Sequence, residues 1–180
     1  CYMSGDYFAV GIEDHPSKIY YGSINKTTNN VDYNDWNSIT LGVSWGSSKG
    51  LEGITFDQDR NCFYAVKEKM AGKGVYKVLF DGTTTHLFNP AYLDDLSDIY
   101  YDKFTDNLFL LSHDSVKISQ SDFAGNELYQ KPIPMYQPEG LTFTSDMKKM
   151  YVIGELLNQT VPYQPGGYFR LNNNLVNTYE

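Results

Sequence analysis

The chain has 180 residues, with 14 Lys and Arg against 22 Asp and Glu, and a formal net charge of −8 at pH 7. This acidic balance offers no basic surface for nucleic acid, so a nucleic acid partner is not expected. No apolar run approaches the roughly 18 residues that a membrane-spanning helix needs, so no transmembrane segment is expected either.

The first predicted strands cover residues 7–10 and 19–21. These two apolar runs match the second and third strands of units that recur later in the chain. A strand before them is almost wholly absent, because counting back from Glu13 by the 16 residues that separate the acids of later units falls before residue 1. We therefore predict a partial blade over residues 1–49.

A long connection follows these strands, with an Asn-rich insert over residues 25–37. Tyr33 and Trp36 lie in the insert, and Trp45 follows it. Two interpretations stay open: the aromatic side chains stack on a sugar or dock a protein partner, or the two Trp side chains anchor the loop by packing. Loops that depart from a repeat often carry specific contacts, so Tyr33, Trp36 and Trp45 are the partner-binding candidates.

Three later stretches repeat one pattern: residues 50–57 (GLEGITFD), 95–102 (DLSDIYYD) and 137–144 (QPEGLTFT). Their offsets of 45 and 42 residues match the length of one four-stranded propeller blade. A turn and a second apolar run follow each stretch, so each unit opens with a hairpin. The second runs cover residues 62–66, 108–112 and 150–154.

Third and fourth strands complete each unit, and no helical period competes with them. The third strands are predicted at residues 75–79, 116–119 and 168–171, and the fourth at residues 84–88, 127–133 and 175–179.

The sequence therefore predicts an all-β protein, a β-propeller with a partial first blade. Three complete four-stranded blades follow, over residues 50–92, 93–136 and 137–180. Closed propellers typically have four to eight blades, so we expect the chain to be part of a larger propeller. A four-bladed form with a degenerate first strand is the alternative.

Carboxylates recur at one end of the predicted blades. Pairing each inner strand with the second strand about residues 60, 106 and 147 sets two acids opposite each other in every blade. Because inner strands line the central channel, the expected result is a ring of acids at one channel mouth. The six candidate metal ligands are Glu52, Glu68, Asp98, Asp114, Glu139 and Glu155.

Like charges that face each other across a sheet are unfavourable, so the ring needs compensation. A cluster of oxygen ligands suits Ca²⁺, which takes six to eight oxygens. The alternative is that the acids cap backbone N–H groups or point into a wet channel. His113, next to Asp114, is a weak candidate for a catalytic role beside a metal-bound water. The sequence contains no zinc-spaced Cys/His set.

The repeated stretches, read together with the second runs YAVKEK (residues 64–69) and LLSHDS (residues 110–115), resemble the SdiA-regulated (YjiK-like) β-propeller family. The resemblance runs from about Tyr7 to the end of the chain. It implies a secreted or envelope-associated propeller that carries calcium, and it implies no established reaction. Members of this family are usually longer at the N-terminus. The Asn-rich insert and residues 158–167 depart from the family pattern.

Two features favour an oxidising, extracellular or cell-envelope location. Asn25 and Asn158 begin N-glycosylation sequons in predicted loops. Cys1 and Cys62 map to the same end of adjacent blades, which makes a disulfide between them a candidate. The alternatives are sequons that arise by chance in an Asn-rich chain and a free Cys that serves as a small buried hydrophobe.

These observations favour a non-enzymatic binding or scaffold module with a cation at the channel mouth. The partner would be a protein or glycan, and upstream blades or a neighbouring subunit would complete the propeller. A calcium-dependent hydrolase of esterase or phosphatase type is the second interpretation of the sequence. A structural subunit of a surface appendage or virion is the third, because fold alone does not separate these functions.

Overall fold

The computed structural model describes residues 1–13, 16–25, 27–28, 31, 35–42, 50–68, 72–133, 135 and 137–154, and the backbone of residues 168–172. Across these residues the regular structure is β-strand, with no α-helix. It follows that no helix in this part of the chain is long and apolar enough to cross a membrane.

The described strands form four antiparallel sheets of consecutive strands. The first sheet contains β1 (Tyr2–Ser4), β2 (Tyr7–Ile12), β3 (Lys18–Ser23) and β4 (Asn37–Thr40). The second contains β5 (Leu51–Asp57), β6 (Cys62–Lys67), β7 (Gly74–Val78) and β8 (Thr84–Phe88). The third contains β9 (Asp98–Asp102), β10 (Asn107–Ser112), β11 (Lys117–Ser121) and β12 (Glu127–Pro132). The fourth contains β13 (Pro138–Phe143), β14 (Lys149–Gly154) and β15 (Tyr168–Asn172).

Each sheet is a blade in which the first strand is innermost, and β5 contacts β2 on one side and β9 on the other. β9 in turn contacts β13, so the inner strands follow one another around a common axis. The predicted all-β propeller architecture is therefore confirmed. The strand predicted at residues 175–179, which would complete the fourth blade, lies outside the described residues.

Three apolar clusters hold the blades face to face. The first cluster lies between the first and second blades and contains Ile19 and Phe63; the second lies between the second and third and contains Tyr64 and Leu108. Phe63 and Tyr64 are neighbours on β6 and belong to different clusters, because successive side chains of a strand point to opposite faces. The third cluster joins the third and fourth blades around Phe109, which is fully buried. Consecutive blades thus bury the faces that they turn toward each other.

The hairpins between the inner and second strands of the second and third blades share one turn chemistry. Asp57 Oδ1 accepts hydrogen bonds from the N–H groups of Asp59 and Arg60, both at 3.0 Å. Asp102 Oδ1 likewise accepts from Phe104 N–H at 2.9 Å. Asp106 closes its turn with a φ of 54°, a left-handed conformation that Asp tolerates better than most residues. These turns set the register of the inner strands.

The first blade differs from its prediction in two places. Its inner strand is shortened rather than absent: β1 (Tyr2–Ser4) pairs with β2, and Ala9 N–H donates to Cys1 O at 2.8 Å. Its outer strand, β4, pairs with β3 and begins at Asn37, the last residue of the predicted Asn-rich insert. The insert therefore leads directly into an outer strand.

An ionic cluster joins the hairpin turns of the second and third blades. Arg60 donates to both carboxylate oxygens of Asp106 at 2.7 Å and to Asp57 Oδ2 at 2.8 Å. Its guanidinium also lies 5.3 Å from the ring centre of Phe123 and donates to Tyr101 Oη at 2.9 Å. These five residues are termed the Arg60 cluster. The Arg60 hydrogen bonds hold the pKa of Asp106 below its usual value, and the guanidinium offsets part of the charge of the two carboxylates.

Candidate functional site

Four glutamates meet at the end of the blades opposite the Arg60 cluster. Glu13 follows β2 and Glu68 follows β6, whereas Glu52 and Glu139 lie near the beginnings of β5 and β13. In antiparallel sheets these strand ends share one edge. Gly50 N–H donates to Glu13 Oε1 at 3.3 Å, which ties the first blade to the start of the second. Glu13, Glu52, Glu68 and Glu139 are termed the acidic mouth.

Glu52 experiences the charges of all three other glutamates. Burial raises its pKa, and the charges of Glu13, Glu68 and Glu139 and a hydrogen bond shared with Glu13 raise it further, to about 7. These effects are those expected when carboxylates share a half-buried site, because each disfavours ionisation of its neighbour. The acidic mouth therefore carries repulsion at neutral pH that a cation would relieve.

β-Bulges place two of these glutamates at equivalent positions. In the second blade Leu51 pairs with Lys67 and Gly53 pairs with Val66, so Glu52 is the extra residue. In the fourth blade the register shifts in the same way on either side of Glu139. A bulge redirects a side chain next to a strand end. The predicted face-to-face pairing of Glu52 with Glu68 is therefore replaced by a bulged arrangement that still brings the two together.

Asp98 lies in the channel wall rather than in the acidic mouth. It stands opposite Leu111 and not opposite Asp114, so the predicted pair of acids in the third blade is wrong. The hairpin pairs Asp102 with Asn107, whereas the predicted symmetry about residue 106 would pair it with residue 110, so the register differs by three residues. Asp98 accepts hydrogen bonds from Ile99 N–H at 2.8 Å and from Leu141 N–H at 2.7 Å, which links the third blade to the fourth.

Burial raises the pKa of Asp98 to about 7, although its two backbone hydrogen bonds act in the opposite direction. The carboxylate lies against Gly53 of the neighbouring inner strand. A Cβ at position 53 would lie 2.5 Å from Asp98 Oδ1, so a glycine is required for this close approach. Asp98 is therefore a structural link between blades and not a ligand available to the mouth.

A second group of side chains gathers around the loops of the third blade. Asp95, His113 and Asp114 each offer a ligand atom, and these atoms lie within 4.8 Å of one another. Asp95 is 1% exposed, and its Oδ1 accepts hydrogen bonds from the Ser112 hydroxyl and from Asp114 N–H, the latter at 3.0 Å. Its Oδ2 is buried with no hydrogen-bond partner in the described structure. Asp95, His113 and Asp114 are termed the Asp95 cluster.

His113 connects this cluster to the acidic mouth. Its Nδ1 lies 3.2 Å from Glu139 Oε1, and both side chains are partly exposed. Asp114, predicted to face Asp98, instead contributes its backbone N–H to Asp95. The two groups therefore form one acidic end with His113 between them.

An open cavity of about 770 Å³ extends along the inner strands β1, β5, β9 and β13. Glu52 and Asp98 line it together with Thr55, Tyr100 and Thr142. The cavity joins a half-buried acid of the mouth to the channel wall, so a small ligand or a peptide segment that enters it meets Glu52.

The candidate disulfide is not formed, because Cys1 and Cys62 are both free thiols. Cys62 is fully buried, and it belongs with Tyr64 and Val66 to the cluster that faces the third blade. Cys1 precedes β1 in the first blade, which packs against the opposite face of the second sheet. A sheet therefore separates the two sulfur atoms.

Trp36 is a packing residue rather than an exposed contact, so its prediction as a partner-binding residue is wrong. It is 9% exposed, and its Nε1 donates to Ser23 O at 3.2 Å. Gly22 provides the space, since a Cβ there would lie 2.4 Å from the indole. The anchor alternative therefore holds for Trp36. Tyr33 and Trp45 lie outside the described residues.

The sequon at Asn25 is exposed, and the Asn25 side chain caps a turn by accepting hydrogen bonds from Thr27 N–H at 2.9 Å and Thr28 N–H at 3.2 Å. Glycosylation at Asn25 stays a prediction. Asn158 and the predicted ligand Glu155 lie outside the described residues.

The predicted set of metal ligands omitted two acids, Glu13 and Asp95. Glu13 closes its second strand just as Glu68 does, and that equivalence was a sufficient signal for including it. Asp95 occupies the repeat position of Gly50 and Gln137, so an acid unique to one unit was the signal there. Its contact with Ser112 depends on loop conformation, which the repeat does not specify.

A family model described as SdiA-regulated matches residues 1–156. This agrees with the resemblance carried by the repeated stretches, and no curated protein matches the chain.

Many solved structures match the chain. A chain of a nidogen/laminin complex is 11% identical with a TM-score of 0.59, over 82% of this chain and 53% of that one. A protein of unknown function from Bacteroides thetaiotaomicron is 13% identical with a TM-score of 0.61, over 83% of this chain and 40% of that one. A gluconolactonase from Xanthomonas campestris is 13% identical with a TM-score of 0.53, over 80% of this chain and 52% of that one. The chain thus spans about half or less of each of these structures, which support the propeller fold alone.

Proposed function

Because the chain belongs to the SdiA-regulated family, and because four glutamates converge at one end of its propeller fold, we propose that it is a non-enzymatic binding module whose acidic mouth holds Ca²⁺. The observation that carries this proposal is the position of Glu13, Glu68 and Glu139 around the half-buried Glu52; burial, together with their charges, raises the pKa of Glu52 to about 7. A hard divalent cation removes that repulsion and takes oxygen ligands of this kind.

The cation has a structural and a recognition role in this proposal. Glu13, Glu52 and Glu139 come from three blades, so an ion bound among them cross-links the blades at the channel end. An ion with remaining ligand positions then attracts an oxygen-rich group of a partner, such as a carboxylate of a protein or a hydroxyl pair of a glycan. The chain of the nidogen/laminin complex is an example of a propeller-like fold within a protein complex.

The proposal includes an extracellular or cell-envelope location, for which the exposed sequon at Asn25 is the available support. It also includes completion of the ring by further blades or a neighbouring subunit. The first blade leaves Val10 and Ile12 of β2 exposed on the face turned away from the second blade. An additional sheet packed there would bury them, as the other blade interfaces bury their apolar side chains.

Calcium binding is tested by titrating Ca²⁺ into the full-length protein at neutral pH and measuring the heat of binding. We expect saturable binding in the native protein and a loss of about tenfold or more in affinity in Glu52→Gln and Glu139→Gln. Asp146→Asn is the matched control, because Asp146 is an exposed acid in the hairpin turn of the fourth blade. Equal affinity in all four proteins would contradict the proposal.

A calcium-dependent hydrolase is the second candidate, and His113 is the observation that favours it. Its Nδ1 lies 3.2 Å from Glu139 Oε1 at the edge of the acidic mouth, so it could relay a proton to or from an ion-bound water. The Xanthomonas gluconolactonase suggests lactones as one substrate class to assay. Ca²⁺-dependent hydrolysis of a lactone, ester or phosphoester that is lost in His113→Ala would replace the binding function with the hydrolase.

A further inference from the structure

The Asp95 cluster is chemically different from the acidic mouth. It combines one imidazole with two carboxylates, and its ligand atoms already lie within 4.8 Å of one another. Asp95 comes from the loop before β9, whereas His113 and Asp114 come from the turn after β10. Two loops of a single blade thus converge on one point.

Asp95 is held rigidly in this cluster. Its Oδ1 accepts from the hydroxyl of Ser112, which is itself fully buried, and from Asp114 N–H at 3.0 Å. The Ser112 hydroxyl oxygen in turn accepts from Ser115 N–H at 3.0 Å. This network fixes the carboxylate before any ligand arrives, so little conformational freedom is lost on binding.

The second oxygen of Asp95 has no protein partner. Asp95 is 1% exposed, and its Oδ2 is buried without a hydrogen-bond donor in the described part of the chain. A buried carboxylate oxygen that lacks a partner costs free energy, and bound cations are one of the ways in which proteins satisfy it. The oxygen is therefore independent evidence for a ligand at this point.

Glu139 orients the imidazole from the side. With Glu139 Oε1 3.2 Å from Nδ1 of His113, a proton on Nδ1 is favoured, and Nε2 of the neutral ring keeps its lone pair. A carboxylate behind a histidine is the common arrangement around protein-bound metals, where it fixes the ring and raises its basicity.

We propose that Asp95, His113 and Asp114 bind a divalent transition-metal ion, with Zn²⁺ as the best match. Imidazole and carboxylate ligands suit Zn²⁺, whose bonds to nitrogen and oxygen are about 2.0–2.2 Å long. Ca²⁺ matches this cluster poorly, because it prefers six to eight oxygen ligands. Asp114 is exposed, so its side chain can close on the ion while Asp95 stays in place. Its three ligands are distinct from those of the proposed calcium site, although Glu139 of the acidic mouth contacts His113.

The test titrates Zn²⁺ into the full-length protein and records the bound stoichiometry and affinity. Cys1→Ser is introduced throughout, because the exposed Cys1 thiol is itself a zinc ligand. We expect one ion per chain and a loss of affinity of about tenfold or more in both His113→Ala and Asp95→Asn. Asp95→Asn keeps the Oδ1 acceptor that holds Ser112, so circular dichroism should show an intact fold.

His86→Gln is the matched control, because His86 is an exposed histidine on β8, in another blade. The affinity of the His86→Gln variant for Zn²⁺ should equal that of the Cys1→Ser parent protein. Glu52→Gln should also leave zinc binding intact while weakening calcium binding, and His113→Ala should do the reverse. Absence of zinc binding, or a zinc affinity that is unchanged in His113→Ala and Asp95→Asn, would overturn the proposal.

Discussion

At the hairpin end of the second and third blades, Arg60 forms ion pairs with Asp57 and Asp106 and lies beside the ring of Phe123. At the opposite end of the same blades, Glu52 lies among other glutamates, and its pKa is raised to about 7. One end therefore pairs a buried carboxylate with an arginine, whereas at the other end several like charges act on Glu52. Under the proposed function, the first end holds the blades together and the second end binds an external ligand.

The contrast predicts opposite effects of removing a charge at the two ends. Arg60→Met keeps apolar contact with Phe123 but leaves Asp57, which is fully buried, without its counter-charge. We expect a loss of about 2–3 kcal/mol in the free energy of unfolding, because breaking an ion pair strands the remaining buried charge. Urea denaturation measures this change.

Lys148→Met is the control for the Arg60 variant. Lys148 lies 3.8 Å from Asp146 in the hairpin turn of the fourth blade, and both side chains are well exposed. Its removal should cost less than about 0.5 kcal/mol. A loss of less than about 0.5 kcal/mol in Arg60→Met as well would show that the ion pairs of Arg60 contribute no more than an exposed surface pair.

The pH dependence of stability tests the buried acid of the channel wall. Burial raises the pKa of Asp98 to about 7, so between about pH 4 and pH 7 the folded protein keeps a proton that the unfolded chain has released. Stability in chelator should therefore fall as the pH rises from about 5 to 8, by about 2 kcal/mol.

Acids whose carboxylate form is stabilised by Arg60 or by turn hydrogen bonds contribute little to the pH dependence of stability between about pH 5 and 8. The pKa values of Asp106, Asp122 and Asp146 are lowered, so their stabilising effect is already complete above about pH 5. The pKa of Glu52 is also raised to about 7, so the comparison is made in a Glu52→Gln background, in which Asp98→Asn should flatten the profile between about pH 5 and 8. An equally steep profile in Asp98→Asn would assign the titration to other groups.

Glu52→Gln should stabilise the protein at about pH 8 in chelator, in contrast to Arg60→Met. It removes a charge that three neighbours disfavour, and we expect a gain of about 1 kcal/mol, reduced by solvent screening at this half-exposed position. The gain should vanish or reverse in excess Ca²⁺, because the variant then lacks a ligand. Destabilisation in both conditions would mean that Glu52 is needed for packing or backbone capping.

Salt should act on the two ends unequally, with the smallest effect in this series. Raising the ionic strength well above about 0.1 M screens repulsion in the acidic mouth, so thermal stability in chelator should increase by a few tenths of a kcal/mol. Glu52→Gln should show a smaller increase than the native protein. An identical salt response in the two proteins would place the repulsion elsewhere.

The blade architecture could be predicted because it repeats: three stretches at offsets of 45 and 42 residues, each followed by a hairpin, leave little choice of fold. The convergence of Glu52, Glu68 and Glu139 followed from the same count, since strand ends share an edge. The spacing of the repeats did not predict the local register of individual turns. The turn from Asp102 to Asn107 shifts the register by three residues and separates Asp98 from Asp114.

The remaining differences come from contacts between residues that are far apart in the sequence or depend on loop shape. Trp36 is buried because Gly22 on β3 leaves room for its ring. Asp95 reaches Ser112 across 17 positions through a loop whose path no periodicity encodes. Glu52 and Glu139 are redirected by bulges, which depend on how each strand meets its partner.

The central claim, that a cation completes the acidic mouth, is tested most directly by a crystal structure of the full-length protein grown with Ca²⁺ near pH 8. An anomalous difference map should show an ion about 2.3–2.6 Å from carboxylate oxygens of Glu52 and of at least one other mouth glutamate. A mouth without an ion, in which Glu13 and Glu52 still share a hydrogen bond, would contradict the claim.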